Sequence, residues 1–351
     1  MTNNHTDRLG VDKIFSFIET LLRGAGQVMF QNNSWTGLLF LIGIFGGALL
    51  EHTPEVGWGA LVGLLASTCS GRLLRLPKED GKQGLWGFNG ILVGCAFPTF
   101  LGNTVGMWLA LNLCAALTTW VRSGLDHVLS TWRIGSLTFP FVLCTWLFLL
   151  AARTLNGIPT PHLPHPVLPP VDGVHVLAVH AAELPLYWLR GVSQVCLINS
   201  WFTGICFLAG LLVSNWRAAV WGAVGSAFAL ALALLFAAPT ADVSAGLYGF
   251  SPVLTAIALG ATFPTPGRRT LTWTLLGIAV TLFIQAGMDV LVEPFGIATL
   301  TAPFCLATWL FLLPGAPTPK AEAEAKPAGE PTAKPEAASE AKPAVKSDAK
   351  S

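Results

Sequence analysis

Four uncharged polar residues stand at matched positions in two similar stretches of the 351-residue chain. Gln27 and Gln194 begin two Gln-Val pairs, and Thr138 and Thr301 begin two Thr-x-Pro-Phe segments. Glutamine offers an acceptor and donors, and threonine offers a hydroxyl that donates and accepts. Phe30, three residues after Gln27, is expected on the same helical face. These side chains could replace the water around a small neutral polar solute.

Aromatic and aliphatic residues are also duplicated. Phe88 and Phe250 each have a leucine four residues later, Leu92 and Leu254, on the same helical face. We expect these pairs to form flat apolar walls beside a pathway. The alternative is ordinary helix packing, and for each glutamine and threonine it is a helix-to-helix hydrogen bond.

Charged side chains are missing from the matched polar positions, which leaves no group there to relay protons or bind a coupling ion. Asp126 and Asp289 are duplicated but lie near helix ends. We expect them to cap helices or anchor loops, with a role near the pathway as the alternative. The predicted pathway is therefore narrow and uncharged, and it suits a small neutral polar molecule.

The composition is that of an integral membrane protein. Charged residues make up 11% of the chain, hydrophobic residues make up 53%, and the mean hydropathy is +0.61. The apolar runs are continuous rather than alternating, which favours helices over a barrel. At about 20 residues per span they predict an all-α protein with about ten crossings. A net charge of +1 implies no nucleic-acid partner.

Three blocks recur in the same order, which makes the chain two copies of one fold unit. Each pair is given by its residue numbers: 22–43 with 189–210, 84–96 with 246–258, and 134–150 with 297–313. If each copy crosses the membrane five times, the second enters upside down. Inverted-topology repeats of this kind place the pathway at the interface of the halves, near the bilayer midplane.

Two matched blocks fit simple spanning helices poorly. The segment GLWGFNGILVGCAF (residues 84–97) is short and glycine-rich and is followed by Pro98. It is predicted to be a re-entrant or broken helix, because such backbone is tolerated at membrane depth where it lines a cavity or is buried in protein. Thr138 is expected to cap a helix that starts inside the membrane, with Pro140 in its first turn.

The blocks divide the chain into four regions. They are a first repeat (1–152), a Pro/His-rich extramembrane linker (153–185), a second, inverted repeat (186–314) and a disordered Ala/Glu/Lys/Pro tail (315–351). The linker carries His162, His165, His175 and His180. We expect them in a solvated loop and not in a metal site, because no Cys or carboxylate accompanies the PHLPHP run.

The Gln-Val blocks, the segment GLWGFNGILVG and the two Thr-x-Pro-Phe segments together resemble the urea transporter (urea channel) family, over roughly residues 15 to 314. The resemblance implies a homotrimer in the bacterial cell (inner) membrane, in contact with lipid. It also implies one pore per protomer, five crossings and a re-entrant helix in each half, and no cofactor. The chain departs from the family pattern at Val142 and Cys305, and where Ser251 and Pro252 replace an Asn-Gly pair.

Site roles also follow from the resemblance. They are polar mouth residues (Gln27 and Gln194) with lining neighbours (Phe30 and Val195), hydrophobic slot walls (Phe88, Leu92, Phe250 and Leu254) and central hydroxyls (Thr138 and Thr301). The implied function is passive, channel-like urea permeation through a selectivity filter. A channel for ammonia or another small neutral amide, or a coupled small-solute carrier, is the alternative. No hydrolase motif of the GxSxG or HExxH type occurs, so the chain is not expected to be an enzyme.

Overall fold

The structure is a computed structural model that describes residues 3–168, 180–264, 267 and 269–315, with side chains from residue 12 onward. Within these ranges the regular structure is helical, in agreement with the all-α prediction. Part of the predicted linker, including His175, and the tail from residue 316 onward lie outside the described residues.

The first half of the described chain holds seven α-helices. They are α1 (Asn3–Gly26), α2 (Ser34–Leu50), α3 (Pro54–Leu73), α4 (Lys78–Lys82), α5 (Phe88–Phe100), α6 (Val105–Leu129) and α7 (Phe139–Ala152).

The second half of the described chain holds seven more, at matching places in the repeat. They are α8 (Leu184–Ser193), α9 (Trp201–Ser214), α10 (Trp216–Leu235), α11 (Thr240–Ser244), α12 (Phe250–Ile257), α13 (Arg269–Val292) and α14 (Ala302–Leu312). The repeat in the sequence is thus also a repeat in helix order, with α1 matched to α8 and α7 to α14.

The bend that follows α1 is built by local backbone chemistry. The helix tightens into a 3-10 turn over Gln27–Met29, and Phe30 then adopts a left-handed φ of 64°. Asn33 starts α2, because its side chain accepts hydrogen bonds from the backbone N–H groups of Trp35 and Thr36. The two helices meet at 75°. Phe30 therefore lies at the corner between the two helices. The prediction that Phe30 shares a helical face with Gln27 was wrong.

The second half repeats this corner. Gln194–Cys196 forms the matching turn, Leu197 has a φ of 57°, and the bend is 74°. Leu137 and Leu300, which precede the two central threonines, are likewise matched at 54° and 52°. Left-handed conformations are uncommon for residues other than glycine. The two halves therefore share even their left-handed, conformationally unfavourable backbone positions.

Helix length and composition identify fewer membrane crossings than the ten predicted from the sequence. Three described helical segments are long and apolar enough to span a membrane alone: Val105–Trp132, Trp216–Leu235 and Arg269–Phe295. Counting each bent pair as one span gives up to five by length and composition. Four apolar helices, among them α5 and α7, are too short to cross alone. About ten crossings thus remains a prediction.

The contact between α2 and α9 is reciprocal. The Thr36 hydroxyl donates to the carbonyl of Gly210 at 2.7 Å, and the Thr203 hydroxyl donates to the carbonyl of Gly43 at 2.8 Å. Thr36 matches Thr203 and Gly43 matches Gly210 in the repeat. When residue i contacts j and the counterpart of j contacts the counterpart of i, the partners are related by a two-fold axis.

A second reciprocal pair joins other parts of the two halves. The indole of Trp146 donates to the carbonyl of Ala298 at 2.8 Å, and the indole of Trp309 donates to the carbonyl of Gly135 at 3.0 Å. The larger apolar cluster runs through both halves, and it includes the buried rings of the matched Phe40 and Phe207, 4.7 Å apart. The halves are therefore packed as one body.

Candidate functional site

The two central threonines lie against each other. Their hydroxyl oxygens, Oγ1 of Thr138 and Oγ1 of Thr301, are 2.6 Å apart, and each residue is only 2% exposed. The Cys305 thiol lies 3.4 Å from the Thr138 hydroxyl. Thr138 and Thr301 occupy the N-cap positions of α7 and α14, but neither side chain caps its helix. The expectation that Thr138 caps was wrong, because its hydroxyl is hydrogen-bonded across the two halves.

This pairing leaves hydrogen-bonding capacity unused. Each hydroxyl has one O–H and two lone pairs, and one O–H is consumed between them. Nearby, the carboxamide oxygen of Asn89 accepts from the backbone N–H of Phe141 at 3.2 Å, while its Nδ2 is buried without a protein partner. Ser251, at the matched position in α12, also has a buried hydroxyl without a partner. Buried polar groups of this kind call for a ligand or water.

A cavity of about 150 Å³ reaches Thr138 from one side. Four predicted residues line it: Gln27, Phe30, Phe88 and Thr138. Thr301 joins them through its hydrogen bond to Thr138. Four of the ten predicted residues thus line one cavity, and a fifth, Thr301, contacts one of the four.

The other five predicted residues do not line this cavity. Leu92, Gln194, Val195, Phe250 and Leu254 are all buried, and each is 8% exposed or less. Gln194, Val195 and Phe250 match cavity-lining residues of the first half, and Leu254 matches Leu92. Their roles in a pathway remain a prediction.

The two glutamines are held by the same hydrogen bond in each half. Nε2 of Gln27 donates to the carbonyl of Gln83 at 2.8 Å, and Nε2 of Gln194 donates to the carbonyl of Ala245 at 2.9 Å. The amide nitrogen of each glutamine therefore bonds a loop carbonyl, whereas the alternative from the sequence was a helix-to-helix hydrogen bond. Fixed in this way, the side chain can still offer its carbonyl oxygen to a solute.

Aromatic rings form the apolar wall of the cavity. Phe30 makes edge contacts with Phe263 and Phe304, with ring centroids 5.9 and 6.0 Å apart. Phe88 lies at the start of α5, and the guanidinium of Arg122 is 5.9 Å from its ring centroid. The Phe88 ring therefore forms an apolar part of the cavity lining and also contacts the Arg122 cation.

The expectation of an uncharged pathway was wrong at this mouth. Arg122 and Asp126 both line the cavity. The Arg122 side chain is 12% exposed, and it pairs with Asp126 at 3.0 Å and with Asp80 at 3.3 Å. Arg122 was not predicted, because the candidate residues were polar residues that recur in both halves and Gln285 occupies the position matched to Arg122. The spacing of Arg122 and Asp126, four residues apart on one helix, was the available signal.

Loop anchoring by the duplicated aspartates is confirmed. Asp126 accepts a hydrogen bond from the backbone N–H of Ser136 at 2.8 Å. Asp289 accepts one from the hydroxyl of Thr299, the residue matched to Ser136, at 3.1 Å. Each aspartate therefore holds the loop that leads to a central threonine, and Asp126 also lies at the cavity.

Metal-binding side chains do not cluster in the part of the chain that the structure describes. His162, His165 and His180 fall within that part, and His175 falls outside it.

Apolar spanning helices in two repeated halves, with a polar-ended cavity at their contact, define a membrane transport protein. The chain matches the family model described as Urea transporter over residues 18–316, so it belongs to the urea transporter family. It is 31% identical over 308 residues to Urea transporter 1 of Ovis aries, covering 85% of this chain and 77% of that one. It is 32% identical over 314 residues to Urea transporter 1 of Mus musculus, covering 86% and 77%. Membership in a family of transporters confirms that the chain is not an enzyme.

Proposed function

We propose that the chain conducts urea passively, in the manner of a channel, through one pore in each protomer of a homotrimer in the cell (inner) membrane. The observation that carries this proposal is the buried hydroxyl pair of Thr138 and Thr301, 2.6 Å apart, at the end of a cavity lined by Gln27, Phe30 and Phe88. The family and the named relatives support urea as the solute.

The chemistry of this site suits urea. Moving an amide out of water without replacement hydrogen bonds costs roughly 2–7 kcal/mol. After the hydrogen bonds between the two threonines and to the Cys305 thiol, both hydroxyl oxygens still have free lone pairs for a solute. The unpaired amide of Asn89 adds a buried donor beside Phe88. Modest neutral contacts lower the desolvation cost and still allow release, as conduction requires.

Passive conduction is favoured over a coupled carrier by the groups at the centre. Two hydroxyls and a thiol meet there, and none of them is a carboxylate of the kind that binds coupling ions. The charged residues at the mouth are already engaged with one another, since Arg122 pairs with both Asp80 and Asp126. An uncoupler that collapses the proton gradient should therefore leave urea flux unchanged. Arrest of the flux by the uncoupler would favour a carrier.

The proposed pore lies on the two-fold axis between halves inserted in opposite directions. Reciprocal contacts such as Thr36 to Gly210 and Thr203 to Gly43 support a two-fold relation. Five crossings per half would make the insertion inverted, with α5 and α12 entering the membrane without crossing it. The homotrimer and the position of the axis at the bilayer midplane belong to the same proposal.

The test is urea flux in proteoliposomes, measured by stopped-flow swelling. Thr138→Val and Thr301→Val should each lower the flux while the protein still assembles. Thr145→Val is the matched control, because Thr145 lies two turns further along α7, fully buried and with an unpartnered hydroxyl. It should leave the flux as it was. Full urea flux in both Thr138→Val and Thr301→Val would remove the central role assigned to the pair.

The same liposomes separate urea from its rivals. Urea should cross faster than glycerol and dimethylurea, because a cavity walled by the rings of Phe30 and Phe88 admits a thin planar solute more readily than a bulkier one. Ammonia or another small amide conducted much faster than urea would favour the alternative channel.

A further inference from the structure

Arg122 is built into the mouth of the first half by two ion pairs. Its Nε lies 3.0 Å from Oδ2 of Asp126, one turn further along α6, and its Nη2 lies 3.3 Å from Oδ2 of Asp80 in α4. Guanidinium is planar and always charged, and it can serve two carboxylates in a fixed geometry. With the side chain only 12% exposed, its position is set by these partners and not by solvent.

The guanidinium also lies on the Phe88 ring, 5.9 Å from its centroid. A cation over the face of a ring is attracted by the ring quadrupole, more strongly where water is scarce. Phe88 is the first residue of α5, and its ring is buried, with 7% of the residue exposed. Arg122 therefore supplies a contact that selects one orientation of this cavity wall.

Asp126 extends the same network to the central hydroxyl. Its Oδ1 accepts from the backbone N–H of Ser136, two residues before Thr138. The chain between them includes Leu137, whose left-handed φ of 54° needs support from its surroundings. One charged group thus connects the aromatic wall with the segment that carries Thr138.

In the described part of the second half, a neutral glutamine takes the place of the arginine. Gln285 occupies the position of Arg122 and donates from its amide to the backbone carbonyl of Leu247, three residues before Phe250. Asp242 and Asp289 occupy the positions of Asp80 and Asp126. The segment before Phe250 is therefore held through its backbone.

We propose that Arg122 is a positioning residue for solute selectivity: held by Asp80 and Asp126, it fixes the Phe88 ring as the size-limiting wall of the first mouth. Among the described residues, no cation lies over the Phe250 ring, and Gln285 holds the backbone before that ring instead. This inference rests on the proposed function for its consequence, which is discrimination between urea and bulkier analogues. Its structural part, the ordering of the Phe88 ring, stands independently of the solute.

The transport experiment is a double-mutant cycle. Arg122→Gln, which installs the residue of the second half, should lower the ratio of urea to dimethylurea flux about fivefold. In a Phe88→Leu background the same change should lower the ratio less than about twofold, because the wall is already gone. Arg122→Lys should restore part of the ratio, since it keeps the charge and loses the planar fork. An equal fall in both backgrounds, or a uniform loss of flux for every solute, would overturn the positioning role.

A second readout does not depend on transport. 4-Fluorophenylalanine is placed at position 88 or, as the matched control, at position 250, and the fluorine spectrum of the purified protein is recorded. Arg122→Gln should shift and broaden the signal from position 88 and leave that from position 250 unchanged. An unchanged signal from position 88 refutes the proposal. If the unmodified protein fails to conduct urea, the proposed function fails, and this spectrum alone still decides whether Arg122 orders the ring.

Discussion

In the first half, α3 and α5 cross with glycines on both helices, whereas in the second half Gly225 of α10 faces Pro252 and Ala256 of α12. A Cβ added at Gly63 would lie 2.1 Å from the carbonyl oxygen of Gly90, and one added at Gly94 would lie 2.0 Å from that of Gly59. The two backbones therefore touch directly. Close contact of this kind allows a short buried helix to be held at membrane depth without long side chains.

The matched crossing of the second half is more open. A Cβ at Gly225 would lie 2.8 Å from Cβ of Ala256 and 2.9 Å from the carbonyl oxygen of Pro252. The helix order and the left-handed positions of the two halves are alike, yet their side-chain contacts differ. The comparison teaches that the backbone plan is shared, while the means of holding each half-length helix in place has diverged.

The largest expected loss of stability comes from a substitution at the glycine crossing of α3 and α5. Gly63→Ala should lower the free energy of unfolding by about 3 kcal/mol, because the new methyl group meets a backbone carbonyl that a rotamer change cannot move. Gly225→Ala should cost about 1 kcal/mol, since its neighbours have more room and alanine favours the helix. Thermal unfolding in detergent measures both. Equal losses would show that the two crossings are equally tight.

Much of this comparison could be predicted from the sequence, because the repeat is visible in it. Matched letters identified Thr138 and Thr301 as partners and Phe88 as a wall. The sequence could not predict that the two hydroxyls touch, because a contact between distant segments depends on how the halves pack. Arg122 was also not predicted, because the candidates were residues that recur in both halves, and the two halves differ at this position.

The corner at Phe30 marks another limit. Helical spacing placed Phe30 on the face of Gln27, but the chain turns left-handed at that residue. No glycine or proline stands at residues 27–33 to announce the turn. The bend is visible only in the cap formed by Asn33 and in the 3-10 turn before it. The helical pattern of residues 27–33 contains no helix-breaking residue, so it did not predict a bend that depends on packing.

An intermediate effect tests the asymmetry of the central pair. Thr138→Val should lower the free energy of unfolding by about 2 kcal/mol, because it leaves the buried Thr301 hydroxyl without the partner that it had. Thr301→Val should cost about 1 kcal/mol, because Thr138 keeps the Cys305 thiol at 3.4 Å. Denaturant or thermal unfolding of the two variants provides the comparison.

Cys305→Val is the control for this pair, because Val142 is the matched residue in the first half. When Cys305→Val is added to Thr301→Val, the cost should rise to that of Thr138→Val. If Thr301→Val is already the more destabilising single change, the thiol does not act as the second partner.

The smallest expected change in stability comes from replacing the matched aspartates Asp80 and Asp242 by asparagine, and it has opposite signs in the two halves. Asp80→Asn removes one of the two carboxylates from Arg122, and the free energy of unfolding should fall by about 0.5 kcal/mol, since the pair is partly exposed. Asp242, the matched residue, has a pKa raised above its ordinary value by burial. A carboxyl with a raised pKa binds its proton more tightly in the folded state. Its ionisation therefore lowers stability as the pH rises above its ordinary pKa, near 4.

Asp242→Asn should thus stabilise the protein at pH 7 and have no such benefit near pH 4, where the carboxyl is protonated in the folded chain. Unfolding midpoints of both asparagine variants, measured from pH 4 to pH 8, give the sign directly. Loss of stability in Asp242→Asn at pH 7 would mean that the second half contains a cation partner for Asp242 that plays the role of Arg122. The two mouths would then be alike in charge, and the difference between an ionic and an amide support would disappear.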